Sequence, residues 1–321
     1  MAEIVTGLAS SHSPQLSIAP ELWSDLGELD RRNPTVPYDR LLAQNQDRLA
    51  QAVTLEQWQA KYQACQDAIA RLGRHLTEAA VDAVVVVGDD QGELWGPEGQ
   101  PALAIFSGEV IWDIPIPPEQ VAPAYRPGLW AWHNQAPDPY PALPALARHL
   151  VAHLSRLDFD VTQFSQQLPG RPLSHSFTFV RRRLGLPSHI PILPVVVNAH
   201  VSPNQPSPQR CWQLGQALRS GIRSWPEAKR IALVATGGLT HWGIDEGLDH
   251  QVLDAILQGR PESLRSLDPS LLAAGTSELR AWITIASALA DYSPQLVDYV
   301  PAYRSLAGTG VGMGFMVWQP A

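Results

Sequence analysis

Histidines and carboxylates stand at the ends of the short apolar runs of this sequence. Ser10-Ser11-His12 follows one run, Gly88-Asp89-Asp90-Gln91 a second, Asn198-Ala199-His200 a third and Thr236-Gly237-Gly238-Leu239-Thr240-His241 a fourth. Imidazole and carboxylate together suit non-haem Fe(II), Mn or Zn. No HExxH motif occurs, so a metal site here has to be assembled from separate strand ends. A GxSxG nucleophile elbow and a P-loop are also absent, and Gly237-Gly238 is too short for a dinucleotide fingerprint. His12 precedes Ser13-Pro14, so a sharp turn would expose its imidazole at a strand end; the competing reading is a buried, hydrogen-bonded histidine. His241 poses a similar choice, between a general base and a helix-capping histidine. Glu278 falls in the first turn of an expected helix, where the helix dipole alone favours a carboxylate.

The elements that must position these residues follow from periodicity. Ile4–Leu8, Val81–Val87, Ile192–Val197 and Arg230–Ala235 are rich in Val, Ile and Leu and read as buried parallel strands. Ligands of open α/β sheets bind beyond the carboxyl ends of the strands, so the four polar tails should converge on one crevice. Trp58, Tyr62, Cys65, Ile69, Leu72 and Leu76 lie on one helical face, with Thr54 as N-cap and Gln57 completing a capping box. A second helix is expected from Thr276 or Ser277 to about Asp291, capped by Ser or Thr. The proline-rich stretch from Pro115 to Pro144 predicts a long ordered loop of the kind that covers sites. The tail from Tyr299 to Trp318 interleaves Gly308, Gly310, Gly312 and Gly314 with apolar residues, as a closing strand or a backbone-dense wall.

The fold class expected is α/β: a single domain over residues 1–321 with a central, mostly parallel or mixed sheet flanked by helices and a site at the carboxyl ends of the strands. Hydrophobic residues at 45% and charged residues at 17% allow a sizeable core. Net charge −8, with no basic run longer than Arg181-Arg182-Arg183, argues against nucleic acid as a partner. Two distant cysteines, Cys65 and Cys211, without a CxxC spacing, suggest neither a disulfide framework nor a thiolate metal site. The absence of a membrane-length apolar stretch and of a basic, apolar leader leads to the expectation of a soluble, cytoplasmic protein. Trp95, Trp112, Trp130 and Trp132 fall in loop-like contexts, where aromatic residues line clefts or interfaces.

Thr6-Gly7-Leu8-Ala9-Ser10-Ser11-His12-Ser13-Pro14, Thr236-Gly237-Gly238-Leu239-Thr240-His241 and Ser277-Glu278-Leu279 before an apolar helix resemble, in this order, the class III extradiol ring-cleavage dioxygenase family, in the catalytic subunit of protocatechuate 4,5-dioxygenase type. The likeness extends over Asn198 to Cys211 and the Gly-rich tail, most of the chain in all. It implies cleavage of a catecholic ring with O2 at a non-haem Fe(II), with His12 as first ligand, Glu278 as carboxylate ligand, His241 as acid/base and His175 touching substrate or oxygen. Asn198 and Arg304 are substrate-binding candidates; Arg304 would pair with a substrate carboxylate, unless it is a surface arginine.

Gln91 stands where the family has its second histidine ligand. Either the amide binds the metal or Asp89, Asp90 or Glu93 substitutes, which makes a harder site suited to Mn or another divalent ion. Asp89-Asp90 forming only an Asx turn is the alternative. Two further functions follow from the departure: another oxidation of a phenolic or aromatic substrate at an altered metal site, or a metal-free small-molecule-binding protein on the same fold. The resemblance also implies a homodimer and, in the prototype, a small partner subunit, of which no counterpart is fused here.

Overall fold

The computed structural model describes residues 1–321, apart from the side chain of Ala274. Among the described residues there are ten strands: β1 Glu3–Ser10, β2 Ala83–Gly88, β3 Leu103–Phe106, β4 Val110–Asp113, β5 Asp138–Pro141, β6 Thr162–Phe164, β7 Ile192–Val197, β8 Arg230–Thr236, β9 Tyr292–Tyr303 and β10 Gly310–Pro320. Eight of them form one sheet in the order β6-β3-β7-β2-β8-β1-β10-β9, and β4 pairs with β5 apart from it. The four strands expected from the apolar runs are the contiguous centre, β7-β2-β8-β1, and pair in parallel. Antiparallel pairs β3/β7, β1/β10 and β10/β9 make the sheet mixed towards both edges.

Alternation along the central strands explains their continuous apolar character. Val85, Val87, Leu193, Val195, Leu233 and Ala235 face one core, and Val84, Val86, Ile192, Val196, Ala232 and Val234 face the other. A strand covered on both faces has no solvent side to carry polar residues. The first core is closed by helices Pro208–Ser224 and Leu279–Ala288, the second by helices Leu55–Glu78 and His175–Arg182. In Leu55–Glu78 the expected stripe is the packed face: Cys65, Ile69, Leu72 and Leu76 are buried, with Trp58 and Tyr62 packed against them. The Thr54 hydroxyl accepts the Gln57 amide, as a cap should. No helix among the described residues is long and apolar enough to cross a membrane.

Three expectations about elements need correction. The helix after Gly275 starts at Leu279, behind a 3₁₀ turn over Ala274–Glu278, and ends at Ala288, because β9 begins at Tyr292. Glu278, rather than a Ser or Thr, occupies the cap position and makes no side-chain cap hydrogen bond, and the Thr276 hydroxyl accepts the His241 amide. The stretch Pro115–Pro144 is not purely loop; it holds 3₁₀ turns, the one-turn helix Leu129–Trp132 and β5. The glycine-rich tail is both a strand and a wall. β10 accepts from the amides of Ser11 and Leu239 through the carbonyls of Gly314 and Gly312. A Cβ on Gly312 would lie 2.1 Å from the Asp249 carboxylate, so only glycine lets the strand pass there.

Candidate active site

The tails of β1, β2, β7 and β8 do converge. His12 follows β1, Asp89 follows β2, His200 lies just beyond β7 and His241 beyond β8, while Glu278 reaches in from the cap of its helix. His12 Nε2 lies 3.7 Å from Glu278 Oε1 and 3.9 Å from Asp89 Oδ1, and ligand atoms of these three buried residues all fall within 4.8 Å of one another. Ligand bonds of about 2.0–2.2 Å place donors on one ion roughly 3–4 Å apart. Both ring nitrogens of His12 and Oδ1 of Asp89 are buried without a hydrogen-bond partner. Orphaned buried polar atoms are costly unless something absent from the protein satisfies them. Their spacing, burial and donor chemistry fit a divalent cation.

The local sequence explains each placement. Asp89 is fixed from two sides: its amide donates to the Ser176 hydroxyl, and Oδ2 bonds His200 Nε2 at 2.7 Å, leaving Oδ1 towards His12. His200 is also 3.7 Å from Glu278 Oε1. Burial opposes a charge on this ring, but hydrogen bonds and charges of Asp89 and Glu278 outweigh it and raise the pKa to about 10. Glu278 Oε2 accepts the Gly238 amide at 2.6 Å. Gly237, at φ 145°, permits this approach, since a Cβ there would lie 2.7 Å from that of Glu278. Burial opposes ionisation of Glu278 as well, yet the surrounding imidazoles of His241, His12 and His200 hold its carboxyl well below the usual range.

His241 Nε2 lies 3.3 Å from Glu278 Oε2, and Nδ1 donates to the Leu239 carbonyl at 3.0 Å. Its pKa is raised, because the charge of Glu278 and the two contacts overcome burial. Asp249 braces this turn, accepting the amide and hydroxyl of Thr240 and the hydroxyl of Tyr299. On the other side, the His175 and His12 rings meet edge to face at 4.9 Å, and Trp132 stacks on His175 with ring centroids 4.9 Å apart. Trp132 thus brings the proline-rich stretch against His175.

Not every residue singled out in the sequence is positioned for the assigned part. Gln91 turns its amide nitrogen to Glu278 Oε1 at 3.1 Å, and an NH2 group has no lone pair for a metal. Asp89, two residues earlier and buried, lies with His12 and Glu278 in a group whose ligand atoms fall within 4.8 Å of one another. Asp90 accepts the amides of Gly92, Glu93, Leu94 and Trp95 and shapes the loop, so the Asx-turn reading applies to it alone. Glu93 faces His175 and His133 rather than the triad.

Asn198 uses both ends of its amide on Val201 and Asn204, shaping the turn that carries His200 rather than facing a substrate. Arg304 is neither on the surface nor free for a substrate: it is 5% exposed and forms a bidentate pair with Asp30, both bonds 2.7 Å, while Nη1 donates to Gln15. A substrate carboxylate would have to displace Asp30. His200, His133 and Asp113 were not among the sequence candidates; only the position of His200 in a strand tail marked it.

The chain is also similar to known proteins. Residues 52–314 match the family described as the catalytic LigB subunit of aromatic ring-opening dioxygenase. A gallate dioxygenase of Pseudomonas putida is 39% identical over 101 residues, which cover 30% of this chain and 28% of that protein.

Proposed function

The chain belongs to the family of the catalytic LigB subunit of aromatic ring-opening dioxygenase, and on that premise we propose that it cleaves the ring of a catecholic compound with O2, beside the two hydroxyl-bearing carbons, at a non-haem Fe(II). The observation that carries this reading is the buried trio of His12, Asp89 and Glu278 with orphaned donor atoms and His241 beside it. Fe(II) bound by these three would supply a Lewis-acid site for the two neighbouring oxygens of a catechol and for O2.

The protein's own groups do the rest. His241 is held by Leu239 at Nδ1, which aims Nε2 at the space beside Glu278 and suits it to take a phenolic proton and return it later. His175, anchored at Nδ1 by Glu93, keeps Nε2 without a protein partner beside His12, available to a bound oxygen or hydroxyl. Trp132 over His175 shields the reacting groups from bulk water, which strengthens every electrostatic contact inside.

One imidazole and two carboxylates make a harder, more anionic set than two imidazoles and one carboxylate. That observation favours a second reading, in which Mn(II) fills the site and a phenolic substrate is oxidised without ring opening. Elemental analysis after anaerobic purification and loading with Fe(II) or Mn(II) separates the readings when combined with O2 uptake on a panel of catechols. About one iron per chain, lost in His12→Ala, Asp89→Asn and Glu278→Ala, with ring-opened product, supports the first. Iron bound with O2 consumed but no ring-opened product would move the conclusion to the second. Absence of metal in the wild type sinks both.

A further inference from the structure

Beside the triad lies a second buried chain of titratable groups that no step above uses in full. Asp113 is fully buried, and its Oδ1 meets His133 Nδ1 at 2.5 Å while Oδ2 accepts the Asn134 amide. The other ring nitrogen, His133 Nε2, faces Glu93 Oε1 at 3.8 Å, an ion-pair distance rather than a hydrogen bond. The same Glu93 oxygen accepts both from His175 Nδ1 at 2.8 Å and from the His175 amide at 3.1 Å, at the start of helix His175–Arg182. His175 then touches the ring of His12. Asp113, His133, Glu93 and His175 thus form one line from the small sheet β4-β5 to the candidate active site.

We propose that His133 and Asp113 are positioning residues: Asp113 orients His133, His133 pins the Glu93 carboxylate, and Glu93 fixes His175 in the tautomer with its proton on Nδ1. This deepens the ring-cleavage reading and rests on it for the role of His175. A carboxylate that accepts from Nδ1 requires the proton there, and Nε2 of His175 is left as the nitrogen that meets a ligand. Glu93 is buried with Oε2 unpartnered. A buried carboxylate with one oxygen unpartnered is held in place only while positive neighbours offset its desolvation. His133 is one such neighbour, beside His175, since burial opposes its charge but Asp113 and Glu93 together raise its pKa to about 9. The arrangement repeats the logic of a carboxylate that orients an imidazole, extended by one further imidazole and carboxylate.

The test is nitrogen-15 NMR of the histidine rings in the metal-free full-length chain, with the His175 signals assigned through His175→Gln. We expect the wild type to carry the His175 proton on Nδ1. Asp113→Asn, which preserves shape, and His133→Gln should both shift His175 towards the Nε2-protonated form. In the Fe(II)-loaded protein the same two variants should lower kcat for catechol cleavage on the order of tenfold, with KM and iron content unchanged. A His175 signal that moves in Glu93→Gln but stays at the wild-type position in both Asp113→Asn and His133→Gln would overturn the proposal. The NMR result stands even when the wild type cleaves no catechol, so failure of the ring-cleavage reading and failure of this one are distinguishable.

Discussion

Two buried clusters of charge in this molecule differ in completeness. Arg304 and Asp30 close on each other with two bonds of 2.7 Å, and the third guanidinium nitrogen is taken by Gln15. His12, Asp89 and Glu278 are as deeply buried, yet both nitrogens of His12 and one oxygen of Asp89 have no partner. Burying ionised groups is costly in either place. The first cluster meets that cost within the protein and so fastens helix Trp23–Arg32 to the end of β9; the second leaves donor atoms without a protein partner. Buried charge alone therefore does not distinguish the two clusters; unpartnered donor atoms do.

Breaking the complete cluster should have the largest effect on stability. Arg304→Ala leaves Asp30 buried and unpaired, and we expect a loss of about 3–5 kcal/mol in denaturant unfolding, equal with and without added metal. A change under about 1 kcal/mol would mean the pair is no more than a surface ion pair in effect. The incomplete cluster should behave in the opposite way. Fe(II) or Mn(II) at a hundred times its dissociation constant should stabilise the wild type by about 2.7 kcal/mol, and His12→Ala or Asp89→Asn should abolish that increment. Persistence of the full increment in both variants would place the ion elsewhere.

The His133 pair is intermediate, complete towards Asp113 and open towards Glu93. Its folded pKa, about 9, lies above the ordinary 6.5, so its contribution is fully present below pH 6.5 and is lost as pH rises through about 9. Comparing wild type with His133→Gln from pH 6 to 10 should show the stability difference shrinking across that window; a difference independent of pH would contradict the assigned charge. The smallest effect is expected at Asp249, a carboxylate satisfied by Thr240 and Tyr299. Tyr299→Phe removes one of three bonds and should cost about 1 kcal/mol, again without metal dependence. Sensitivity to metal there would blur the distinction between complete and incomplete clusters.

The sequence by itself determined the centre of the fold and singled out two members of the candidate triad. Runs of Val, Ile and Leu announce strands buried on both faces, and the stripe from Trp58 to Leu76 announces its helix, because strand and helix periods are local properties of the chain. His12 and Glu278 were legible because each adjoins such an element, and the resemblance carried by the surrounding motifs named them. The tertiary structure alone places Asp89 beside His12 and Glu278 and turns the amide nitrogen of Gln91 to Glu278. Both follow the same strand, and the placement of Asp89 depends on His200 and Ser176, which are 111 and 87 positions away from Asp89 in sequence. It likewise gave Arg304 to Asp30, 274 positions apart, and joined Glu93 to His175 across 82. Periodicity tells which residues leave a strand at its end, but which side chains then meet is fixed by the path of other segments, and no local pattern encodes that path.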